Sequence, residues 1–364
     1  MVSFEMSDEQ KLLADTVKRF ASKELRPNAR ISDESGIIPG SLNEKAWELE
    51  LIPNFIAEEY GGYGAGHSAV TSALIAEEMA YGDLSMAIQV LSPALIVVPV
   101  MMLGSDFQKR ELLPLYCGRK FRHSTVGFLE PRFDFDRNTI QTRAAKEGEG
   151  YLLNGHKCFV PLAAQAETFL IYAGLGERLE GFLLPRGTAG LRIGEREKNM
   201  GLKALPTYEI MLENCWVPSE SRLGGKEGCD VGKLLHYHCV ACAAMAVGVA
   251  KAAYEYARDY AKGRVAFGEP IASRQAIAFM LAEMAIEVDA TRLLAWEAAW
   301  RLDNGREANR EAYLAKMYAA DMVLKVTDGA VQVLGGHGYI REHPVELWLR
   351  NGRGFYSFET MAIA

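Results

Sequence analysis

The chain has no block of Lys and Arg. Across 364 residues it carries 40 basic and 47 acidic side chains, a formal net charge of −7 at pH 7. Nucleic-acid binding rests on a concentrated positive surface, so no nucleic-acid partner is expected. Cysteine is sparse. The six cysteines follow no framework spacing, which is the usage of a reducing compartment. No signal or transit segment opens the chain. Met1 to Phe4 leads directly into an amphipathic pattern, and the expectation is a cytoplasmic protein or a mature form already trimmed. Internal repeats and low-complexity linkers are missing too. One stretch without charge, Met86 to Gly104, approaches membrane-span length but is interrupted by Gln89, Ser92, Pro93 and Pro99. It reads as a buried core helix kinked or broken at proline, not as a membrane span.

What is present is an ordinary globular mixture, 49% hydrophobic and 24% charged, long enough for two or three domains. The first third follows helical periods. Ser7 is an N-cap and Gln10 completes a capping box, with Asp8 and Glu9 at the positive end of the helix dipole. Leu12, Leu13, Val17, Phe20 and Leu25 then repeat at helical spacing. A loop at Pro39 and Gly40 precedes a helix predicted over Asn43 to Leu49. Gly61, Gly62, Gly64 and Gly66 mark an irregular turn, and helices resume from Ala69 to about Gly118.

The texture changes near His123. Thr125, Val126 and Phe128 begin a series of short β-forming runs. Asn154-Gly155, between Tyr151-Leu152-Leu153 and Cys158-Phe159-Val160, has the composition of a type I′ hairpin turn. Phe169 to Tyr172, Phe182 to Leu184 and Ile210 to Leu212 are further strands. From Val231 the helical period returns over Val231 to Lys262, Gln275 to Leu302 and Arg306 to Leu334, with Gly335-Gly336 as a helix stop. The predicted fold class is α+β: an N-terminal helical domain over 1–122, a middle antiparallel β domain over 123–230, and a C-terminal four-helix-bundle-like domain over 231–364.

Six sequence words in this order resemble the acyl-CoA dehydrogenase family along nearly the whole chain. They are FEMSDEQKLLADTVKRFASKELRP near the start, IPNFIAEEYGGYGAG from Ile52, and GSDFQKRELLPLYCGRKF from Gly104. GYLLNGHKCFV from Gly150, ARDYAKGRVAFGEPIASRQAIAFMLAEM from Ala257 and QVLGGHGYIREHPVELWLRNGR from Gln332 complete the set. The resemblance implies FAD as cofactor and dehydrogenation of an acyl-CoA thioester between Cα and Cβ. It also implies a homo-oligomer, or a heteromer with a related subunit, and an electron-transfer flavoprotein or similar acceptor.

By the same resemblance Glu359, nine residues after Arg350, falls on the position of the base that takes the α-proton. Such a base works at neutral pH when partly desolvated, and Phe355, Tyr356 and Phe358 suit that environment. Arg264, Phe267, Gln275, Gln332, Gly335 and Gly336 match the residues that meet the adenine and pyrophosphate end of a neighbouring subunit's FAD. Arginine neutralises phosphate and glycine permits close approach. His238 falls where some relatives carry the base and is expected, with Phe358, to line the acyl cavity.

The flavin-ring side departs from the family pattern. Leu129-Glu130-Pro131 stands for Thr-Glu-Pro, RFDFD at Arg132 to Asp136 lacks glycine and serine, and Phe159-Val160-Pro161 ends without threonine. Leu129, Phe135 and Pro161 therefore withhold groups that usually hydrogen-bond the ring or line its edge, while Phe159 can still stack on it. Retained adenine-side residues beside an altered ring side also fit a low-activity partner subunit of a heteromeric dehydrogenase. A flavin monooxygenase-like relative is a third reading, against which Glu359 speaks. His236 to Cys242 (HYHCVAC) offers thiol and imidazole groups on one helix face, but the small residues that follow favour cysteines packed in a core over a metal or redox site.

Overall fold

The computed structural model describes residues 4–64 and 66–364. Met1 to Ser3, read above as the lead into the first helix, lie outside the described residues.

The N-terminal part is helical. α1 spans Asp8–Phe20, and a five-residue π-helical stretch, Ala21–Leu25, carries it into α2, Arg26–Ser35. The capping box forms as the sequence predicts: Gln10 N–H donates to Ser7 Oγ at 3.1 Å, and Ser7 N–H donates to Gln10 Oε1 at 3.0 Å. α3 covers Gly40–Trp47, earlier than the predicted Asn43 to Leu49, because Pro39 pre-sets the entry. α4 (Ala69–Gly82), α5 (Leu84–Val90), α6 (Ala94–Leu103) and α7 (Asp106–Leu112) follow. The uncharged stretch is broken as expected: α5 and α6 meet at 47°, with the break at Leu91 to Pro93, and Pro99 sits inside α6.

The middle part is one seven-stranded sheet. Its strands are β1 (Ser124–Gly127), β2 (Arg143–Glu147), β3 (Gly150–Pro161), β4 (Thr168–Leu175), β5 (Arg178–Pro185), β6 (Leu191–Arg196) and β7 (Thr207–Pro218). The order is β1-β4-β2-β3-β7-β6, with β5 also on β4. Two expectations are corrected here. The sheet is mixed, since β1 and β2 both pair parallel to β4. A parallel pair needs a long crossover, and the β2–β3 excursion between Gly127 and Thr168 supplies it. Asn154-Gly155 makes no turn either. It lies inside β3 at a register shift against β7, and Asn154 Oδ1 accepts the Asn214 N–H. Glycine is needed there because a Cβ would approach Thr142 Oγ1 to 2.5 Å. The β2–β3 turn is at Gly148, φ +58.

The C-terminal part holds α8 (Gly232–Gly263), α9 (Gln275–Asp303) and α10 (Asn309–Leu334), with a two-stranded ribbon, β8 (Val265–Ala266) and β9 (Glu269–Pro270), between α8 and α9. Short helices α11 (Gly336–Tyr339) and α12 (Val345–Gly352) end it. α8 is long and apolar enough to cross a membrane by composition, yet 89% of its apolar window is buried inside the fold, so it is the central core helix. It packs on α9, α10 and α12 and, across the parts, on α4. Gly248 permits the α4 contact, since a Cβ would lie 2.1 Å from Glu77 O.

A buried ionic knot ties the two ends of the chain together. Asp33 of α2, 4% exposed, accepts two hydrogen bonds from Arg350 of α12, at 3.0 and 2.7 Å, and one from Arg341. Arg350 also donates to Glu346 and to Met200 O. Burial opposes its charge, but the bonds to Asp33 and Glu346 outweigh that and push its pKa up. Asp33→Asn removes the counter-charge of a partly buried guanidinium. It is expected to destabilise the fold by about 3 kcal/mol, read as a lower midpoint in urea unfolding.

Candidate functional site

The sheet meets the C-terminal helices in a cleft of about 200 Å3, lined by Phe159, Gly201, Leu202, Arg350, Gly354 and Phe358 among others. Asn199, Met200 and Arg350 also line an adjoining cavity of about 660 Å3 that reaches Val331 of α10 and Gly338 and Tyr339 of α11. Asn351 Oδ1 accepts the Leu202 N–H at 2.7 Å, so α12 holds the cleft's floor to the sheet domain.

Phe159 stands at the rim with φ +51, an uncommon conformation for a side chain with a Cβ. Its N–H donates to Glu197 Oε1 at 3.1 Å. Glu197 Oε2 is buried and has no hydrogen-bond partner among the described residues. Beneath the rim, Glu130 accepts from Gln141 N–H and Thr142 N–H and pairs with Lys157 at 3.1 Å. Lys157 is fully buried. Burial pulls its pKa down to about 8, still above neutrality, so the pair is ionised at pH 7. Burial works against Glu130 as well, but Lys157 and the two N–H donors hold its pKa down. This pair pins the strand-end loop that carries Leu129 to Phe135.

The predicted ring-side residues divide. Phe159 and Phe358 both line the cleft. Leu129 is half-buried, with its carbonyl bound by Cys158 N–H. Pro161 is buried, and its carbonyl accepts the Thr125 hydroxyl at 2.5 Å. Phe135 packs edge-on against Phe128, centroids 5.4 Å apart. The predicted adenine-side residues, Arg264, Phe267, Gln275, Gln332, Gly335 and Gly336, are all exposed and lie outside this cleft's lining. That exposure suits contact with a second molecule.

Glu359 departs from the expected apolar nest. Phe355 and Phe358 are buried, but Tyr356 is exposed and donates to Asp321. The Glu359 side chain, 20% exposed, takes a short hydrogen bond on Oε1 from Lys316 Nζ, and Arg137 Nη2 lies 3.7 Å from Oε2. The sequence reading missed both cations. Lys316 had a signal: it interrupts an apolar face of α10 formed by Ala312, Ala315, Ala319, Ala320 and Val323, where an unpaired charge is too costly. Arg137, in a loop, had none.

His238, expected to line a cavity, is 1% exposed and fully engaged. Its Nδ1 donates to Ala362 O at 2.5 Å, and Nε2 lies 3.4 Å from the Tyr172 hydroxyl. Burial lowers its pKa to about 4, so it is a neutral and weakly basic imidazole at pH 7. Cys239 and Cys242 pack beside it in the core of α8, and burial pushes the Cys242 thiol up to about 12. They are small apolar groups there.

A helical–sheet–helical chain with a cleft lined by Phe159 and Phe358 between the sheet and the C-terminal helices has the frame of a flavoprotein oxidoreductase. The acyl-CoA dehydrogenase N-terminal, middle and C-terminal domain models match residues 7–120, 126–215 and 230–359. The chain is 35% identical over 363 residues to a probable acyl-CoA dehydrogenase of Bacillus subtilis, covering 97% of this chain and 94% of the relative. The butyryl-CoA dehydrogenase of Megasphaera elsdenii superposes with a TM-score of 0.89 at 31% identity, over 98% of this chain and 96% of that one. A chain solved with the electron transferring flavoprotein of Acidaminococcus fermentans as its subject gives a TM-score of 0.89 at 31% identity, over 98% and 95%. The chain belongs to the acyl-CoA dehydrogenase family, FAD-dependent oxidoreductases acting on CH–CH bonds. The residues present fit that cofactor. Phe159 and Phe358 form aromatic walls, and the unpartnered Glu197 oxygen is an acceptor of the kind an imide N–H needs.

The two buried histidines set an acid limit. His67 shares the case of His238, with burial lowering its pKa to about 4. Both folded-state values lie below the ordinary 6.5, so the stability they contribute is full above pH 6.5 and is lost as pH falls to about 4. Asp83 runs the other way, its pKa raised by burial to about 6, but it is one group against two. Thermal unfolding between pH 7 and 4 is expected to show a steep loss, of which roughly 3 kcal/mol belongs to His238. His238→Gln lowers the midpoint at pH 7 but flattens the slope. An unchanged slope rejects the assignment.

Proposed function

We propose that the chain dehydrogenates an acyl-CoA thioester between Cα and Cβ with Glu359 as the α-proton acceptor. The observation that carries this reading is that Glu359, with a side chain 20% exposed, directly follows Phe358, which lines the cleft. Lys316 holds Oε1 and Arg137 Nη2 lies 3.7 Å from Oε2, so the carboxylate turns from these cations to receive the proton. Phe159 and Phe358 keep water from the reacting carbons. FAD, when bound, supplies the acceptor for the β-hydride. The adenine end of that cofactor falls to Arg264, Phe267, Gln275, Gln332, Gly335 and Gly336 of a second subunit. The physiological oxidant is an electron-transfer flavoprotein or a similar carrier, and the proposed location is cytoplasmic.

Glu359→Gln keeps the shape of the side chain but cannot accept a proton. It is expected to lower turnover with an artificial electron acceptor by at least about 100-fold while flavin content is retained. Unimpaired turnover with the best acyl-CoA rejects Glu359 as the base. His238 is then a poor substitute, given its low pKa and engaged nitrogens.

The proposed assembly is a tetramer built as a dimer of dimers. Phe279, Ile286 and Leu293 are exposed at heptad spacing along α9, with Tyr313, Leu314 and Met317 exposed on α10. Such a stripe is an association surface. The second reading, a partner subunit that lends its adenine-side residues to another chain, is favoured by Leu129 and Pro161. Each withholds a hydrogen bond worth on the order of 1 kcal/mol. Light scattering with visible absorbance on the purified chain separates the two. The expected result is a tetramer with less than one FAD per subunit. Full occupancy in the homo-oligomer removes the reason for a partner, and a monomer rejects the assembly.

A further inference from the structure

Three charged groups meet where the loop after β1, helix α10 and the segment after α12 converge. Lys316 and Arg137 both address the Glu359 carboxylate. Among these three, two positive charges face one negative charge. The Lys316 side chain is 6% exposed and that of Arg137 23%, so the cluster is largely withdrawn from water yet reachable from it. Arg137 is also held in place. Its guanidinium lies over the Tyr313 ring, 5.4 Å from the centroid. A stacked guanidinium keeps its planar fork pre-organised for a carboxylate. An uncompensated cation in a poorly hydrated setting selects for an anion.

We propose that this cluster selects acyl-CoA thioesters carrying a second carboxylate on a short acyl chain, that carboxylate seating on Arg137 and Lys316. The inference rests on the reading of Glu359 as the α-proton acceptor, which places the α-carbon beside the same two cations. A carboxylate bound to them lies within one side chain's reach of that carbon. This limits the group to a short dicarboxylic acyl chain, about four or five carbons long. A monocarboxylic chain brings only a methyl group to the cations. The arriving carboxylate also replaces Glu359 at Lys316 and frees the glutamate to turn toward the α-proton. Charge balance is kept throughout, because one carboxylate substitutes for another at a cluster that carries the extra positive charge.

Glutaryl-CoA and pentanoyl-CoA have equal acyl carbon numbers and differ in a terminal carboxylate against a methyl. Calorimetric titration of the FAD-loaded protein, with no electron acceptor present, compares their Kd values. Glutaryl-CoA is expected to bind about tenfold or more tightly. The ratio is expected to fall toward one in Arg137→Gln and to be partly kept in Arg137→Lys, which retains charge without the fork. Equal Kd values in the unaltered protein overturn the proposal, and so does a preference that persists undiminished in Arg137→Gln. The α-proton reading fails separately, if glutaryl-CoA binds through Arg137 while neither thioester is oxidised. A protein that binds neither thioester overturns both.

Discussion

Much of the molecule hangs on the guanidinium of Arg350. It reaches Asp33 near the start of the chain, Glu346 on its own helix and the Met200 carbonyl of the sheet part. One side chain thereby joins segments more than 300 residues apart in sequence. Its neighbour Asn351 binds the Leu202 N–H. The cleft is therefore the consequence of a fixed distance between α12 and the sheet. A hydrophobic seam alone tolerates sliding, because its contacts are non-directional. A bidentate ion pair does not slide, because its geometry is specific.

A second theme is buried charge kept in balance. Glu130 with Lys157 anchors the loop at the sheet's edge, and Glu77 and Glu78 with Lys251 and Arg292 join α4, α8 and α9. Such clusters add modestly to stability and strongly to register, since removing one partner strands the other. At Glu359 the same logic takes a different form. There the compensation is unequal, since Lys316 and Arg137 both face one carboxylate.

The legible features were those with a local cause. The capping box at Ser7, the long helices of the C-terminal part and the break at Leu91 to Pro93 all follow from residues within a turn of one another. Motif order carried the family assignment. Asn154-Gly155 shows where local reasoning fails. Its turn chemistry is real, but pairing of β3 with both β2 and β7 outweighs a two-residue preference. The parallel pairing to β4 was equally invisible, since strand direction within a sheet depends on the connection, not on the strand's own residues.

Sequence alone determined the three-part order, the helix boundaries to within a few residues and the family, and it singled out the Glu359 carboxylate for the proposal. Only the tertiary structure decided what that carboxylate faces. Lys316 lies 43 residues before Glu359, and Arg137 lies on another part of the chain altogether. A run of apolar neighbours around Glu359 predicts an apolar environment, because adjacent residues are all that a linear pattern can count. The field at a site is set by charges that folding brings within a few ångströms, and Coulomb interaction depends on that distance and on the local dielectric. Neither quantity is written in the spacing of residues along the chain.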